Sequence, residues 1–333
     1  MIYSTITGLG YYVPEHVVTN EDLTSYMETS DEWIRERTGI QERRYFTYGK
    51  ETNASMAAAA SRMALERAEV TAKEVDLIVY ATITPDYFFP GSGFLMQREL
   101  GMEGIGVIDI RDQCSGFVYA LSIADQFIKS GMYKTILVVG AEIQSTWINK
   151  STEGRGVAVI FGDGAGAAVV RATDDAEHRI LSTHLHADGR FAEDLYVKDP
   201  GSSRPDRAAT KQMVDEGGFD VVMNGNAVFK HAVVRFTEVI HEGLQANGFS
   251  PEDISLLVPH QANVRISEYV RNQLGLPEDR VISNIHKYGN TTAASIPIAL
   301  TEAWEQGRVK PGDLVCLAAF GSGFTWASAL IKW

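Results

Sequence analysis

Short apolar runs alternate along the chain with stretches whose apolar residues recur every three to four positions. In the first half Leu77–Ala81 (LIVYA), Gly106–Ile110 (GVIDI), Ile136–Gly140 (ILVVG) and Val157–Phe161 (VAVIF) read as strands. None of them alternates cleanly with polar residues, so they are expected to be buried on both faces with crossover helices between them. Ile254–Pro259 (ISLLVP) echoes Val75–Ala81, and Leu314–Phe320 (LVCLAAF) echoes Ile136–Ala141. This self-similarity predicts a duplicated α/β unit with a seam near residues 172–178, beside the plainer reading of ordinary α/β alternation. Phe117, Leu121, Ala124, Phe127 and Ile128 share one helical face that stops at Ser130 and Gly131. The polar stretch 199–216 has no periodicity and reads as an exposed loop or a cap insertion.

With 333 residues and 45% apolar content, the chain can bury a large core, as two domains or one large duplicated one. A formal charge of -13 without a basic run speaks against wholesale nucleic-acid binding. Cys114 and Cys316 are the only cysteines, too few for a disulfide scaffold, and they fit a reducing compartment, the cytoplasm by default. The start of the chain lacks a basic region and is broken by Gly8, Gly10 and Pro14, so no signal peptide is read there. Apolar runs also fall short of the ~20 residues that a membrane-spanning helix needs.

Cys114 lies where the run GVIDI gives way to the helical pattern, at a helix start. Unpaired N–H groups and the helix dipole there would favour a thiolate and offer an oxyanion donor. An inert buried thiol is the alternative that the local pattern leaves open. Cys316, inside LVCLAAF, reads as core. His260 follows SLLVP at a strand end, where active sites of α/β sheets gather. Asn290 follows Gly289 in KYGNTTAAS, where it could equally cap the next helix. Together the three are the parts needed to hold a thioester and polarise its neighbour. The string GDGAGA (Gly162–Ala167) is followed by a strand-like run, so no nucleotide loop is read. His184 and His186 lack further ligands nearby and read as structural, and no metal site is expected.

The segments DQCSGFVYALSIADQFIKSG, VPHQANVRI, KYGNTTAASIPIAL and AAFGSGFTWASAL, with TSDEWIRERTGI and IFGDGAGAAVV, resemble β-ketoacyl-acyl carrier protein synthase III over nearly the whole chain. The resemblance implies an α/β thiolase-like fold: two βαβαβαββ halves, 1–174 and 175–333, forming a five-layered α-β-α-β-α core. It implies an acyltransferase that takes an acyl group from coenzyme A onto Cys114. Condensation with malonyl-acyl carrier protein, with loss of carbon dioxide, would then initiate fatty acid synthesis. His260 and Asn290 would donate to the malonyl thioester oxygen, and the N–H groups of Cys114 and Ser322 would form the oxyanion hole. Trp33, Arg37 and Arg155 resemble the adenine-side residues, Asn226 and Asn263 the pantetheine contacts, and Lys230 and Arg265 the acyl carrier protein contacts. Phe89, Gln113 and Phe161, with the 199–216 stretch, are the candidates for shaping the acyl pocket. Two departures stand out: Ser322 where glycine is frequent, and Gln113 where a small residue usually precedes the cysteine. A homodimer and a reaction without a resident cofactor are further implications.

A Cys, His and Asn in this order also describes papain-like proteases, but the usual sequence around their cysteine is missing. A carrier-binding relative without catalysis would have little use for all three residues. Elongating synthases use two histidines, thiolases a second cysteine in the last glycine turn, and plant-type polyketide synthases usually have longer chains. A specialised acyltransferase or condensing enzyme of secondary metabolism on the same scaffold is the runner-up.

Overall fold

The computed structural model describes residues 2–203 and 209–333. Nine strands and six helices frame the site. In the first half these are β1 (Tyr3–Tyr12), α1 (Asp31–Thr38), α2 (Asn53–Arg67), β2 (Leu77–Ala81), β3 (Gly106–Ile110), α3 (Gly116–Lys129), β4 (Thr135–Glu142) and β5 (Gly164–Thr173). In the second half they are β6 (Arg179–Ala187), α4 (Gly225–Ala246), β7 (Leu256–Pro259), α5 (Val264–Gln273), α6 (Ser295–Glu305), β8 (Leu314–Gly321) and β9 (Thr325–Lys332).

The first sheet has the order β1-β5-β4-β2-β3 and the second β6-β9-β8-β7. Both begin with two antiparallel pairs and continue with a parallel one. In the second sheet a lone parallel bridge from Leu257 to Val281 stands where β3 stands in the first. The echo between the two halves is therefore topological: β2 matches β7, and β4 matches β8.

Alternation along the strands builds the layers. Leu77, Val79, Ile136 and Val138 face the central layer, where α3 and α6 lie between the sheets with Leu256, Val258, Val315 and Leu317. Ile78, Tyr80, Leu137 and Val139 face the other way, onto α2. Leu257, Cys316, Ala318 and Phe320 face outward onto α4 and α5. Along Leu77–Ala81, Ile136–Val139, Leu256–Pro259 and Leu314–Phe320 both faces are thus covered by apolar neighbours, which is why these runs lack a polar period. Cys316 is such a core residue.

One expectation changes, and one open alternative, loop or cap insertion, closes in favour of the cap. Val157–Phe161 is not a strand: Arg155–Ala158 is a helical turn, with Val157 and Ala158 N–H donating to Gly154 O, and only Phe161 makes a bridge, to Asn290. A short apolar run after glycine has the same composition in either form, and here the turn buries Ala158 and Val159 against Ile34 and Ile40. The polar stretch 199–216, of which residues 204–208 lie outside the described ones, is more than a loop. Thr210 caps a short helix, Lys211–Asp215, and the flanking segments Leu195–Val197 and Val221–Met223 pair antiparallel as a cap. GDGAGA leads directly into β5, and a Cβ on Gly166 would stand 2.6 Å from Pro297 Cβ, so that glycine serves helix packing. No described helix is long and apolar enough to cross a membrane.

Candidate active site

Three chain turns converge on one cavity of about 230 Å³, lined by Cys114, His260 and Asn290, by Trp33, Arg37 and Asn263 toward its mouth, and by apolar side chains including Phe161, Phe236 and Phe320. Cys114 sits in a tight turn, Gln113–Ser115, between β3 and α3. The end of β8 presses against it. A Cβ on Gly321 would lie 2.8 Å from Cys114 Cβ, so only glycine lets the last turn come this close. Gly323, and not Ser322, has the left-handed backbone there, with φ of 129°. Serine at 322 therefore carries no backbone penalty, and its hydroxyl donates to Leu195 O in the cap.

The thiol departs from the helix-start expectation. Burial pushes Cys114 up to about 12 and the Glu142 carboxylate adds to the shift, while the N–H groups of Cys114 and Ser322 oppose it. Cys114 is thus a thiol at neutral pH. The dipole of α3 falls short because the sulfur is buried and the two largest influences on it, burial and Glu142, both favour the thiol. The same two N–H groups are the pair expected to form an oxyanion hole.

His260 follows β7, and its backbone N–H donates to Ala318 O at 2.8 Å. Burial lowers its imidazole to about 3, so the ring is neutral. Nδ1 lies 2.6 Å from Ser295 Oγ, which also accepts from Gln261 N–H at 3.4 Å. Either atom can donate in the Nδ1–Ser295 contact; with the serine proton on Nδ1, Nε2 carries the hydrogen. Nε2 is buried without a partner, a donor awaiting an oxygen. Asn290 is fixed by its backbone, which bonds Ile160 O and Gly162 N, and by Oδ1, which accepts from Thr292 N–H at 2.8 Å. That leaves Nδ2 as its donor end. The sequence pointed to Cys114, His260 and Asn290 but missed Ser295, whose partner is 35 positions away and which looks like one more small residue in TTAAS.

The other candidates divide. Trp33 lies beneath two guanidinium groups, with Arg37 Cζ 4.4 Å and Arg155 Cζ 5.2 Å from its ring centroid. Arg155 also donates to Glu28 O at 2.6 Å and lies off the cavity wall. Asn263 caps α5 and donates to Arg37 O at 2.9 Å. Arg265 is tied down, its guanidinium donating to Glu36 O at 2.7 and 3.1 Å, and it holds α5 against α1. Asn226 and Lys230 are exposed on the first turns of α4, outside the lining. Of the three acyl-pocket candidates, Phe161 alone lines the cavity. Phe89 is 81% exposed, and Gln113, with φ of 42°, is held off the wall by the turn. His184 and His186 both reach Glu242, at 3.3 and 2.6 Å, and no metal-holding group of three such residues occurs among the described residues.

A duplicated five-layered α/β core with a buried cysteine, a neutral histidine and an asparagine at strand ends defines a thiolase-fold acyltransferase of the condensing class. Residues 108–189 match the family model of 3-oxoacyl-[acyl-carrier-protein] synthase III, and residues 244–333 match that of its C-terminal part. The chain is 51% identical over 99% of its length to a β-ketoacyl-[acyl-carrier-protein] synthase III of Rhodospirillum centenum, 99% of which is covered. It superposes on the crystal structure of the 3-oxoacyl-[acyl-carrier-protein] synthase III of Aquifex aeolicus with a TM-score of 0.91 at 44% identity, covering 99% of this chain and 100% of that one. A priming β-ketosynthase of the R1128 polyketide pathway follows at 0.89 and 34%, covering 99% and 96%. The chain belongs to the 3-oxoacyl-[acyl-carrier-protein] synthase III family, and is a condensing enzyme of fatty acid synthesis.

Proposed function

We propose that the chain, as halves 1–174 and 175–333, condenses an acyl group from coenzyme A with malonyl-acyl carrier protein. The supporting observation is one cavity that brings Cys114 Sγ, two converging backbone N–H groups and two side-chain donors together. In the first step Sγ attacks the thioester carbonyl, the C–S bond to coenzyme A breaks, and the thiol proton leaves with the coenzyme A sulfur. The N–H groups of Cys114 and Ser322 hold the oxyanion, at a typical worth of about 3 to 4 kcal/mol per donor. In the second step the malonyl thioester loses carbon dioxide, and His260 Nε2–H and Asn290 Nδ2–H hold the enolate oxygen. The enolate carbon attacks the acyl-Cys114 carbonyl, a carbon–carbon bond forms, the acyl–Sγ bond breaks, and the released Cys114 thiolate takes a proton from water as the 3-oxoacyl product leaves.

Trp33, Arg37, Arg155, Asn226 and Asn263 would receive the coenzyme, with no resident cofactor. Lys230 and Arg265 would face the carrier. The protein would be cytoplasmic and a homodimer, for which β3 at the sheet edge and the exposed Phe88 and Phe89 are candidate contact surface. Likeness to a priming ketosynthase supports a second reading, a specialised enzyme of secondary metabolism. Intact-mass analysis with a panel of acyl-coenzyme A thioesters decides. A transferable adduct on wild type and none on Cys114→Ala is expected. An adduct that persists in Cys114→Ala overturns the mechanism, and acyl-Cys114 inert to malonyl-acyl carrier protein favours the second reading.

A further inference from the structure

The turn that carries Asn290 is braced from behind by residues that do not line the cavity. Gly140 and Glu142 lie on one face of β4, and Gln144 opens the turn Gln144–Thr146 that follows. All three meet the segment 291–294. A Cβ on Gly140 would come within 2.4 Å of Ala293 O, so glycine admits the turn. Glu142, fully buried, receives Ala293 N–H, together with Thr84 Oγ1 at 2.5 Å, Thr82 Oγ1 at 3.3 Å and Ile83 N–H at 3.3 Å. Every one of these partners donates to the Glu142 carboxyl oxygens, so the group is held fixed behind the turn. Gln144, 2% exposed, donates from Nε2 to Thr292 Oγ1 at 2.8 Å, across 148 positions of sequence. Thr292 in turn donates its N–H to Asn290 Oδ1 at 2.8 Å.

Thr292 has φ of 50°, left-handed backbone that a β-branched residue rarely adopts. Such a conformation persists only where its surroundings over-determine it. We propose that Gln144 and Glu142 are positioning residues for the Asn290 amide, holding Thr292 and Ala293 so that Oδ1 stays on Thr292 N–H and Nδ2 faces the substrate. Released from Gln144, Thr292 can relax toward ordinary backbone and withdraw its N–H. The Asn290 amide is then free to turn over and present an acceptor to an oxygen that needs a donor.

This inference rests on the reading of Asn290 as an enolate donor, and the two can fail separately. The experiment measures both half-reactions, acylation of Cys114 by intact mass and condensation with malonyl-acyl carrier protein, for Gln144→Leu, Asn290→Ala and the double variant. Asn290→Ala is expected to slow condensation on the order of 100-fold, as the loss of one preorganised donor does. Gln144→Leu is expected to slow condensation about tenfold through misplacement, to leave acylation within about twofold, and to add nothing to Asn290→Ala. Thr292→Val, which keeps the shape and removes the anchored hydroxyl, should reproduce Gln144→Leu and replaces it if that variant does not fold. Equal slowing of both half-reactions, or a Gln144 effect that survives in Asn290→Ala, overturns the positioning role. Unchanged condensation in Asn290→Ala instead overturns the reading of Asn290 itself.

Discussion

Cys114 and His260 line the same cavity as a thiol and a neutral imidazole, because burial moves both away from their charged forms. They are not a thiolate–imidazolium pair, so the nucleophile is not ionised in the resting site. Alkylation of Cys114 by iodoacetamide should therefore climb with pH well past the range of an ordinary thiol, its midpoint displaced toward 12. A plateau near neutral pH would contradict the burial argument. Glu142→Gln removes the carboxylate that adds to the shift and should move the midpoint down. Ser295→Ala tests the tautomer. Without the hydroxyl on Nδ1, the proton can move from Nε2 to Nδ1, so condensation should fall about tenfold while acylation persists. Both half-reactions followed by mass on one sample check this.

At the scale of elements, what was legible followed from burial on both faces. β2 and β4 were readable because their runs are buried on both faces, β3, which is only part-buried, because GVIDI is rich in β-branched residues, and α3 because its stripe repeats. Val157–Phe161 has the same composition as those strands and is a turn, and what settles it is Gly154 ahead of it and the core beneath Ala158. Edge strand β6, with Ser182, Thr183, His184 and His186, is half-exposed and carries no strand-like run of apolar residues. Cys114, His260 and Asn290 stand at element ends, which sequence can locate. Ser295, Glu142 and Gln144 act through partners far along the chain, which it cannot. Close packing of elements makes its own prediction. Gly166 lets β5 touch α6 at Pro297, so Gly166→Val should overpack this contact and cost about 1 to 3 kcal/mol or more. Urea unfolding midpoints with an unchanged slope would show it.

For the whole molecule, the buried site ties stability to pH with opposing signs. Glu142 is raised by burial from 4.5 to about 8, so its contribution to stability is complete below 4.5 and is lost as pH rises through 8. His260 is lowered by burial from 6.5 to about 3. Its unfolded form binds a proton below pH 6.5 while the folded form does not, so protonation favours unfolding as pH falls from 6.5 toward 3. Between pH 7 and pH 5 this single group should remove about 2 kcal/mol of stability. Many carboxylates titrate nearby, so the quantity to measure is the difference between wild type and His260→Gln, taken from urea unfolding at both pH values. The variant starts less stable, because glutamine fills the ring's place poorly beside Ser295, but its loss on acidification should be smaller than the wild type's by that amount. Parallel loss in the two proteins would mean that folded His260 takes up its proton over the same range as an unfolded imidazole, which would overturn the burial argument for a neutral donor.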